Sequence, residues 1–195
     1  MLILNKAFFF HIPKTAGTSI ESVFGGCPNK YQTSFQKSQF SINYQHAFPS
    51  EINTKFPSFC FVRNPWDRIV SLFFHFKTGG FLPADFCFSN FVFSVNNETL
   101  ASKFIKRPSR KERMAKMCLP YSFWLSKNIA VGKFENLQED FNTICDKIGI
   151  GRKTLPHIGE TKHQHYTEYY NDETIEIIGK KYAKDIEYFG YEFGK

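Results

Sequence analysis

Two short aromatic runs, each followed by a loop and then by a helical pattern, constrain the fold of this chain most. Residues 6–11 read KAFFFH and residues 58–63 read SFCFVR, and both have the length and content of buried strands. Residues 128–134, NIAVGKF, form a third such run. We read the opening, MLILNKAFFFH, as a first strand that ends at His11. Strands that alternate with helices are typical of α/β folds with a mainly parallel sheet.

A helical pattern follows each of these strands. The best marked helix start is Asn64-Pro65, an N-cap residue followed by proline at the first helical position, and Gly79-Gly80 ends this helix. Apolar spacing and glycine stops predict the remaining helices at residues 17–24, at two or three places within 81–127, at 135–148, and from an Asp172 cap to Phe189.

The predicted fold class is therefore α/β, a three-layer sandwich around a central, mainly parallel sheet. A chain of 195 residues fits one domain, which we expect to span residues 1–195. In such sheets ligands bind outside the carboxyl ends of the strands. The two most distinctive segments, HIPKTAGTS and RNPWDR, both lie where a strand gives way to a helix. We expect them to face one cleft.

Composition excludes some classes of protein. No run of about 18 apolar residues occurs, so no integral membrane segment is expected, and the opening apolar run is too short for a signal peptide. Five cysteines without a C-x-x-C pair indicate free thiols, and we expect a cytoplasmic protein. The net charge of +7 favours anionic ligands, among them phosphate, sulfate, acidic polysaccharide and nucleic acid.

The segment HIPKTAGTS has the features of an anion-binding loop. A loop of small residues between strand and helix can direct several backbone N–H groups, the Lys14 ammonium and hydroxyls at one anion. It differs from the nucleotide-triphosphatase pattern G-x-x-x-x-G-K-S/T because Lys14 precedes Gly17, which disfavours ATP hydrolysis. The alternative is a helix-capping turn with an exposed lysine.

The second segment offers a second, separate anion site. Arg63 ends a predicted strand and Ser71 lies two turns into the next helix, where a guanidinium and a hydroxyl can hold an anion. Arg68 ranks below Arg63, because a surface ion pair with an acid such as Asp67 is at least as good an interpretation.

HIPKTAGTS and FVRNPWDRIVSLF together resemble the sulfotransferase family 2 group, which includes many carbohydrate sulfotransferases. The resemblance continues more weakly through VGKFENLQEDF, LPHIGETKHQHYTEYY and YAKDIEYFGYEF. It implies a P-loop-type nucleotide-binding fold and transfer of a sulfuryl group from 3'-phosphoadenosine 5'-phosphosulfate (PAPS) to an acceptor hydroxyl. It also implies that the first motif binds the 5'-phosphosulfate end of PAPS and the second its 3'-phosphate; the matching residues are Lys14, Thr15, Gly17, Thr18 and Ser19, then Arg63 and Ser71.

The chemistry of this transfer suggests two catalytic residues. Lys14 can stabilise the negative charge that grows on the leaving 5'-phosphate, and this scheme requires no metal. A neutral histidine can take the proton of the acceptor hydroxyl. We favour His46, because similar enzymes often carry a His or Glu base in this region, with Glu51 in reserve; His11 is more readily structural.

Three histidines, His157, His163 and His165, lie in one polar loop. We reject a zinc site there because no cysteine or fourth ligand has suitable spacing. The resemblance makes the loop 157–166 a candidate lid, whose possible nucleotide contacts are Lys162, His163 and Tyr166.

Two other functions remain as alternatives. A basic module that binds single-stranded nucleic acid is disfavoured because no recognition motif occurs, and we expect no nucleic-acid partner. A small-molecule kinase lacks the phosphate-loop pattern. The expected partner is a hydroxyl-bearing acceptor, most simply a carbohydrate, and the basic cluster from Lys106 to Arg113 is either a solvated face or an attractor for an acidic acceptor. The sequence fixes neither the acceptor nor the oligomeric state.

Overall fold

The computed structural model describes residues 2–4, 6–25, 56–97, 108–158 and 163–195. The strands β1 to β4 are Leu2–Ile3, Ala7–Phe10, Ser58–Val62 and Ile129–Lys133. The α-helices α1 to α7 are Gly17–Ser22, Pro65–Thr78, Phe88–Asn97, Pro108–Met117, Leu137–Ile148, Asp172–Lys181 and Ala183–Phe189. Short 3-10 helices occur at Tyr121–Phe123, Phe134–Asn136 and Tyr166–Tyr169. None of the helices in these ranges combines the length and the apolar content that a bilayer crossing requires.

The chain divides into two compact units. The first comprises Met1–Arg63 and Phe123–Glu160, and the second comprises Asn64–Ser122 and Thr161–Lys195. The four strands, α1 and α5 belong to the first unit, whereas α2, α3, α4, α6 and α7 belong to the second.

The sheet of the first unit has the order β1-β2-β3-β4. The β1 strand is antiparallel to β2, while β2, β3 and β4 are parallel. The parallel strands read as near-continuous apolar runs, as expected where a sheet is buried. In register, Phe10 pairs with Cys60, and Val62 pairs with Lys133. The carboxyl ends of the three parallel strands therefore meet at one edge of the sheet.

One face of this sheet packs against α1 and α5. Alternate strand residues Phe9, Phe59 and Phe61 enter the same cluster as Ile20 of α1 and Phe141 of α5. The Phe9 and Phe59 rings lie 5.0 Å apart across the β2–β3 pair. Burial of these side chains fixes both helices on the sheet and thereby positions the loop that joins β2 to α1.

The second unit has its own apolar core, formed largely by α2, α3 and α6. Phe73 of α2 packs against Phe88 and Phe91 of α3, with ring centroids 5.5 and 5.6 Å apart. Ile178 of α6 is fully buried in the same cluster. Asn64 caps α2, since its side chain accepts a hydrogen bond from Trp66 N at 3.1 Å.

The structure confirms the α/β class and corrects three details of the secondary structure. The opening forms two short strands with a turn between them, because Lys6 N donates to Ile3 O at 2.8 Å and reverses the chain. The last helix is broken at Tyr182 into α6 and α7. Its cap is Asn171, not Asp172: Asn171 accepts from Thr174 N, and Thr174 in turn accepts from Asn171 N.

Candidate active site

The candidate site lies at the carboxyl ends of the parallel strands of the first unit. The chain leaves β2 through a loop, residues 11–16, that enters α1 at Gly17. Arg63 follows β3 directly and Phe134 follows β4 directly. Val62 and Lys133 are paired in the sheet. The residues that follow them, Arg63 and Phe134, therefore lie side by side.

Arg63 contacts both of its neighbouring chain segments. Its guanidinium carbon lies 4.1 Å from the centroid of the Phe134 ring, a cation–π arrangement. Its Nη1 donates a hydrogen bond to the main-chain oxygen of Lys14 at 3.4 Å. The two residues expected to bind opposite ends of one donor are therefore neighbours in the first unit, with the guanidinium against the Lys14 backbone.

Lys14 has an unusual environment for an ammonium group. Burial is the main cause that lowers the pKa of Lys14, from 10.5 to about 8, and the positive charge of Arg63 lowers it further. An ammonium that is desolvated and next to a second cation gains more from an anion than a fully hydrated lysine does. The local charge pattern thus favours an anionic ligand.

The other residues of the first motif have distinct positions. Thr15 is buried and its hydroxyl donates to Ile12 O at 2.9 Å, inside the loop. The Ser19 hydroxyl accepts from Ile158 N at 3.2 Å and donates over 3.4 Å to Ile158 O. Thr18 is partly exposed at the start of α1.

No side chain caps the start of α1. Its N-cap residue is Ala16, in a left-handed conformation. Thr18 and Ser19 lie inside the first turn, so their hydroxyls do not cap it. The alternative interpretation of this loop as a helix-capping turn is therefore not supported by any side-chain cap of α1.

Two residues of this region have roles that sequence reasoning did not assign. Phe134 supports the Arg63 guanidinium, and Glu21 lies 2.9 Å from Nδ1 of His11. Phe134 could have been predicted to lie near the site, because it follows a parallel strand directly, as do Arg63 and the loop of Lys14. The hydrogen-bond partner of His11 was not predictable, because the sequence does not show which acidic side chain the fold brings next to it.

A family model described as the sulfotransferase family matches residues 4–192 of this chain. The chain belongs to the sulfotransferase family. No curated protein and no solved structure matches it. Membership of this sulfotransferase family means that the chain is an enzyme and supports sulfuryl transfer in general, to a hydroxyl-bearing acceptor.

In this sulfotransferase, Arg68 and Ser71 of the second motif lie in the second unit. Ser71 is buried in α2. Arg68 is fully buried as well, so its interpretation as a surface ion pair is wrong. Its guanidinium donates to Met117 O at 2.8 Å and to Leu119 O at 3.1 Å, which makes it an internal cross-link of the second unit.

The histidine-rich segment of this sulfotransferase is described only in part. The His163 ring stacks on Phe74, with centroids 5.2 Å apart. Tyr166 is buried, and its hydroxyl accepts a hydrogen bond from Gly194 N at 2.7 Å. Among the residues that the structure describes, no group of three His, Cys, Asp or Glu side chains could hold a metal ion. His46, Glu51 and Lys162 lie outside the described residues.

Proposed function

We propose that this sulfotransferase transfers a sulfuryl group from PAPS to a hydroxyl of a carbohydrate acceptor. The observation that carries the proposal is that Arg63 contacts the Lys14 main chain at the carboxyl edge of the sheet and that its positive charge lowers the pKa of Lys14. A ligand with two separate phosphate groups, as in adenosine 3',5'-bisphosphate, suits two neighbouring cations because each can neutralise one of them.

The seven residues that match the family's two motifs each have a role in this proposal. Lys14 and Thr18 contribute side chains to the 5'-phosphosulfate end, while Thr15 and Gly17 contribute backbone N–H groups. Ser19 can turn its hydroxyl proton from Ile158 O, where the hydrogen bond is long, to a phosphate oxygen. Arg63 binds the 3'-phosphate. We assign Ser71 to the same phosphate because it matches the family's second motif.

Catalysis rests on charge neutralisation and proton transfer by side chains of this protein. When bound, PAPS supplies the sulfuryl group, which moves in line to the acceptor oxygen. Lys14 stabilises the negative charge that grows on the departing 5'-phosphate, and this interaction is stronger in the transition state than in the ground state. His46 accepts the proton of the acceptor hydroxyl, with Glu51 as the alternative base. No metal takes part in this scheme.

Three further expectations belong to the same proposal. We propose one sulfotransferase domain over residues 1–195 with a three-layer, P-loop-type nucleotide-binding architecture, supported by the family match over residues 4–192. We propose a cytoplasmic location, supported by the free state of the described cysteines Cys60, Cys87, Cys118 and Cys145.

Calorimetric titration with adenosine 3',5'-bisphosphate tests the donor site. We expect the wild-type protein to bind it and Lys14→Ala and Arg63→Ala each to weaken binding by roughly 10-fold to 100-fold, the value of a hydrogen bond to a charged group. Matched controls are Lys147→Ala and Arg152→Ala, which remove exposed charges from the same unit and should bind as wild type. Unchanged binding in both site variants would refute the donor site.

A second experiment separates the two candidate bases and identifies the acceptor class. Transfer from labelled PAPS is measured with neutral glycans, acidic glycans and small phenols as acceptors. His46→Ala should lower kcat by at least about 100-fold with little change in the affinity for adenosine 3',5'-bisphosphate, and Glu51→Ala should not. The reverse pattern would assign the base to Glu51, and transfer to phenols alone would overturn the carbohydrate acceptor.

A further inference from the structure

The loop that carries Lys14 has a backbone conformation that costs free energy. Lys14 has φ 66° and Ala16 has φ 64°, and neither residue is a glycine. The left-handed region is sparsely populated by residues with a Cβ atom, and it persists only where the surrounding structure enforces it. Contacts on the loop must therefore hold this shape.

Contacts from two directions hold the loop. On one side, Arg63 donates to Lys14 O and the Thr15 hydroxyl donates to Ile12 O. On the other side lies the His11 ring, which is only 7% exposed. A Cβ atom placed on Gly17 would lie 2.1 Å from Cδ2 and 2.2 Å from Nε2 of His11, so the ring packs directly on the backbone where the loop becomes α1.

His11 is itself held in place. Its Nδ1 lies 2.9 Å from Glu21 Oε1, and an ionised carboxylate can only accept, so Nδ1 carries the proton of this hydrogen bond. The Phe9 ring stacks on the imidazole at 6.0 Å between centroids and 26° between planes. Since Phe9 belongs to β2 and Glu21 to α1, the ring is clamped between the strand before the loop and the helix after it.

We propose that His11, fixed by Glu21, is a positioning residue that sets the shape of the donor loop through its contact with Gly17. The inference rests on the proposed function, because it assigns the loop to PAPS. The imidazole determines how closely the Gly17 backbone approaches the end of β2, and so where Lys14 and the N–H groups after it lie. Displacement of a binding group by about 1 Å can cost up to about 100-fold in rate or affinity.

Exchange of side-chain size between the two positions tests the contact. Gly17 does not have a positive φ, so the obstacle to alanine there is the His11 ring and not the backbone conformation. Gly17→Ala alone should lower the Tm and the affinity for adenosine 3',5'-bisphosphate. In the double variant His11→Ala with Gly17→Ala, the new methyl group enters the space that the ring leaves, and both quantities should recover above those of Gly17→Ala. Gly151→Ala, where an added Cβ meets nothing within 4 Å, is the matched control.

Kinetics with an acceptor separate positioning from general stabilisation. His11→Ala should raise KM for PAPS about tenfold with a smaller change in kcat. The substitution weakens the binding of the donor but leaves the catalytic base in place. His11→Phe keeps a flat ring on Gly17 but cannot bond to Glu21, and its KM should lie between those of the wild type and His11→Ala. If His11→Ala does not fold, His11→Phe and Glu21→Ala decide: wild-type KM in both would overturn the proposal.

These experiments test the His11–Gly17 contact and the identity of the donor separately. If the losses of Tm and affinity in the double variant merely add, His11 does not position Gly17, whatever the ligand. If the wild-type protein does not bind adenosine 3',5'-bisphosphate but the Tm of the double variant recovers, the contact stands and the proposed donor is wrong.

Discussion

The guanidinium of Arg63 lies against the main chain of Lys14, with Nη1 donating to Lys14 O at 3.4 Å. These residues are far apart in sequence and meet because β2 and β3 are parallel neighbours in the sheet. The two motifs also interact electrostatically, since the positive charge of Arg63 lowers the pKa of Lys14. We therefore expect that removal of the Arg63 charge raises the pKa of Lys14.

The first prediction concerns the pH dependence of donor binding. The pKa of Lys14 is lowered to about 8, so its ammonium is present below that pH and is lost above it. The affinity for adenosine 3',5'-bisphosphate should therefore fall as the pH rises through about 8. In Arg63→Ala the midpoint of this fall should move to higher pH, because one cause of the lowered pKa is removed.

Calorimetric titrations over a pH series measure this midpoint independently of the overall loss of affinity. Lys14→Arg serves as the control, since a guanidinium stays protonated across the whole range and the fall should disappear. An identical midpoint in the wild type and in Arg63→Ala would show that Arg63 does not act on the Lys14 charge.

The second prediction is that Lys14→Met stabilises the fold while it removes activity. Displacement of the pKa from 10.5 to about 8 means that the folded protein disfavours the ammonium by up to about 3 kcal/mol at neutral pH. A methionine of similar length has no charge to desolvate. The free energy of unfolding in urea at neutral pH should therefore increase by about 1–3 kcal/mol.

The sign of the pH dependence provides a further check on Lys14→Met. Between about pH 8 and 10.5 the unfolded wild-type chain binds more protons at Lys14 than the folded chain does. This lysine therefore contributes a rise in wild-type stability with pH across that window. The difference between wild type and Lys14→Met should shrink as the pH is raised, and a constant difference would contradict the lowered pKa.

The third prediction assigns Arg68 to stability and not to the ligand. Arg68 is fully buried, donates to Met117 O and Leu119 O, and lies 4.7 Å from the centroid of the Tyr121 ring. Asp185 is buried nearby and accepts from Tyr121 N at 2.7 Å. Arg68→Met should lower the free energy of unfolding by about 2–5 kcal/mol, because it leaves buried acceptors without their donor.

The matched control for Arg68 is Arg152→Met, since the Arg152 side chain is 64% exposed in a surface ion pair with Asp146. Its effect on the free energy of unfolding should be much smaller than that of Arg68→Met, because a solvent-exposed ion pair contributes little to stability. Urea unfolding measures both variants. Equal, small losses would place Arg68 outside the stabilising network, and full stability combined with lost nucleotide affinity would make it a ligand residue instead.

The fourth prediction concerns the close approach of β3 and β4. A Cβ atom on Gly132 would lie 2.4 Å from the ring of Phe61, its partner across the strand pair. Gly132→Ala should therefore cost roughly 1–3 kcal/mol through overpacking. Gly151→Ala adds its methyl group where nothing lies within 4 Å and should change the free energy of unfolding by less than about 0.5 kcal/mol. Equal unfolding curves for the two variants would show that the sheet relaxes without cost.

Local chemistry made much of the secondary structure predictable. The aromatic runs at residues 6–11 and 58–63 became β2 and β3, and Asn64-Pro65 began α2 at the predicted residue. These signals act within a few neighbouring residues, so they can be read without the fold. The break at Tyr182 was missed because its apolar stripe continues across both helices.

The candidate site was predictable as a set of motif residues but not as an arrangement. Lys14 and Arg63 were identified from two loops, whereas Phe134 and Glu21 were not. The interpretation of Arg68 was wrong because its sequence neighbour Asp67 suggested a surface ion pair. In the fold, Arg68 is buried and donates hydrogen bonds to backbone carbonyl groups. Burial depends on all the packed elements together, which no local window contains.

The sequence by itself determined the order of strands and helices, the two motif loops and the sulfotransferase family. Only the tertiary structure decided that Arg63 rests on Phe134 and reaches Lys14, because strand register sets which residues meet at the sheet edge. Register is a property of strand pairs far apart in the chain, where a shift of one residue turns every side chain to the other face. The charge of Lys14 follows from the same packing, since burial and a neighbouring cation lower its pKa.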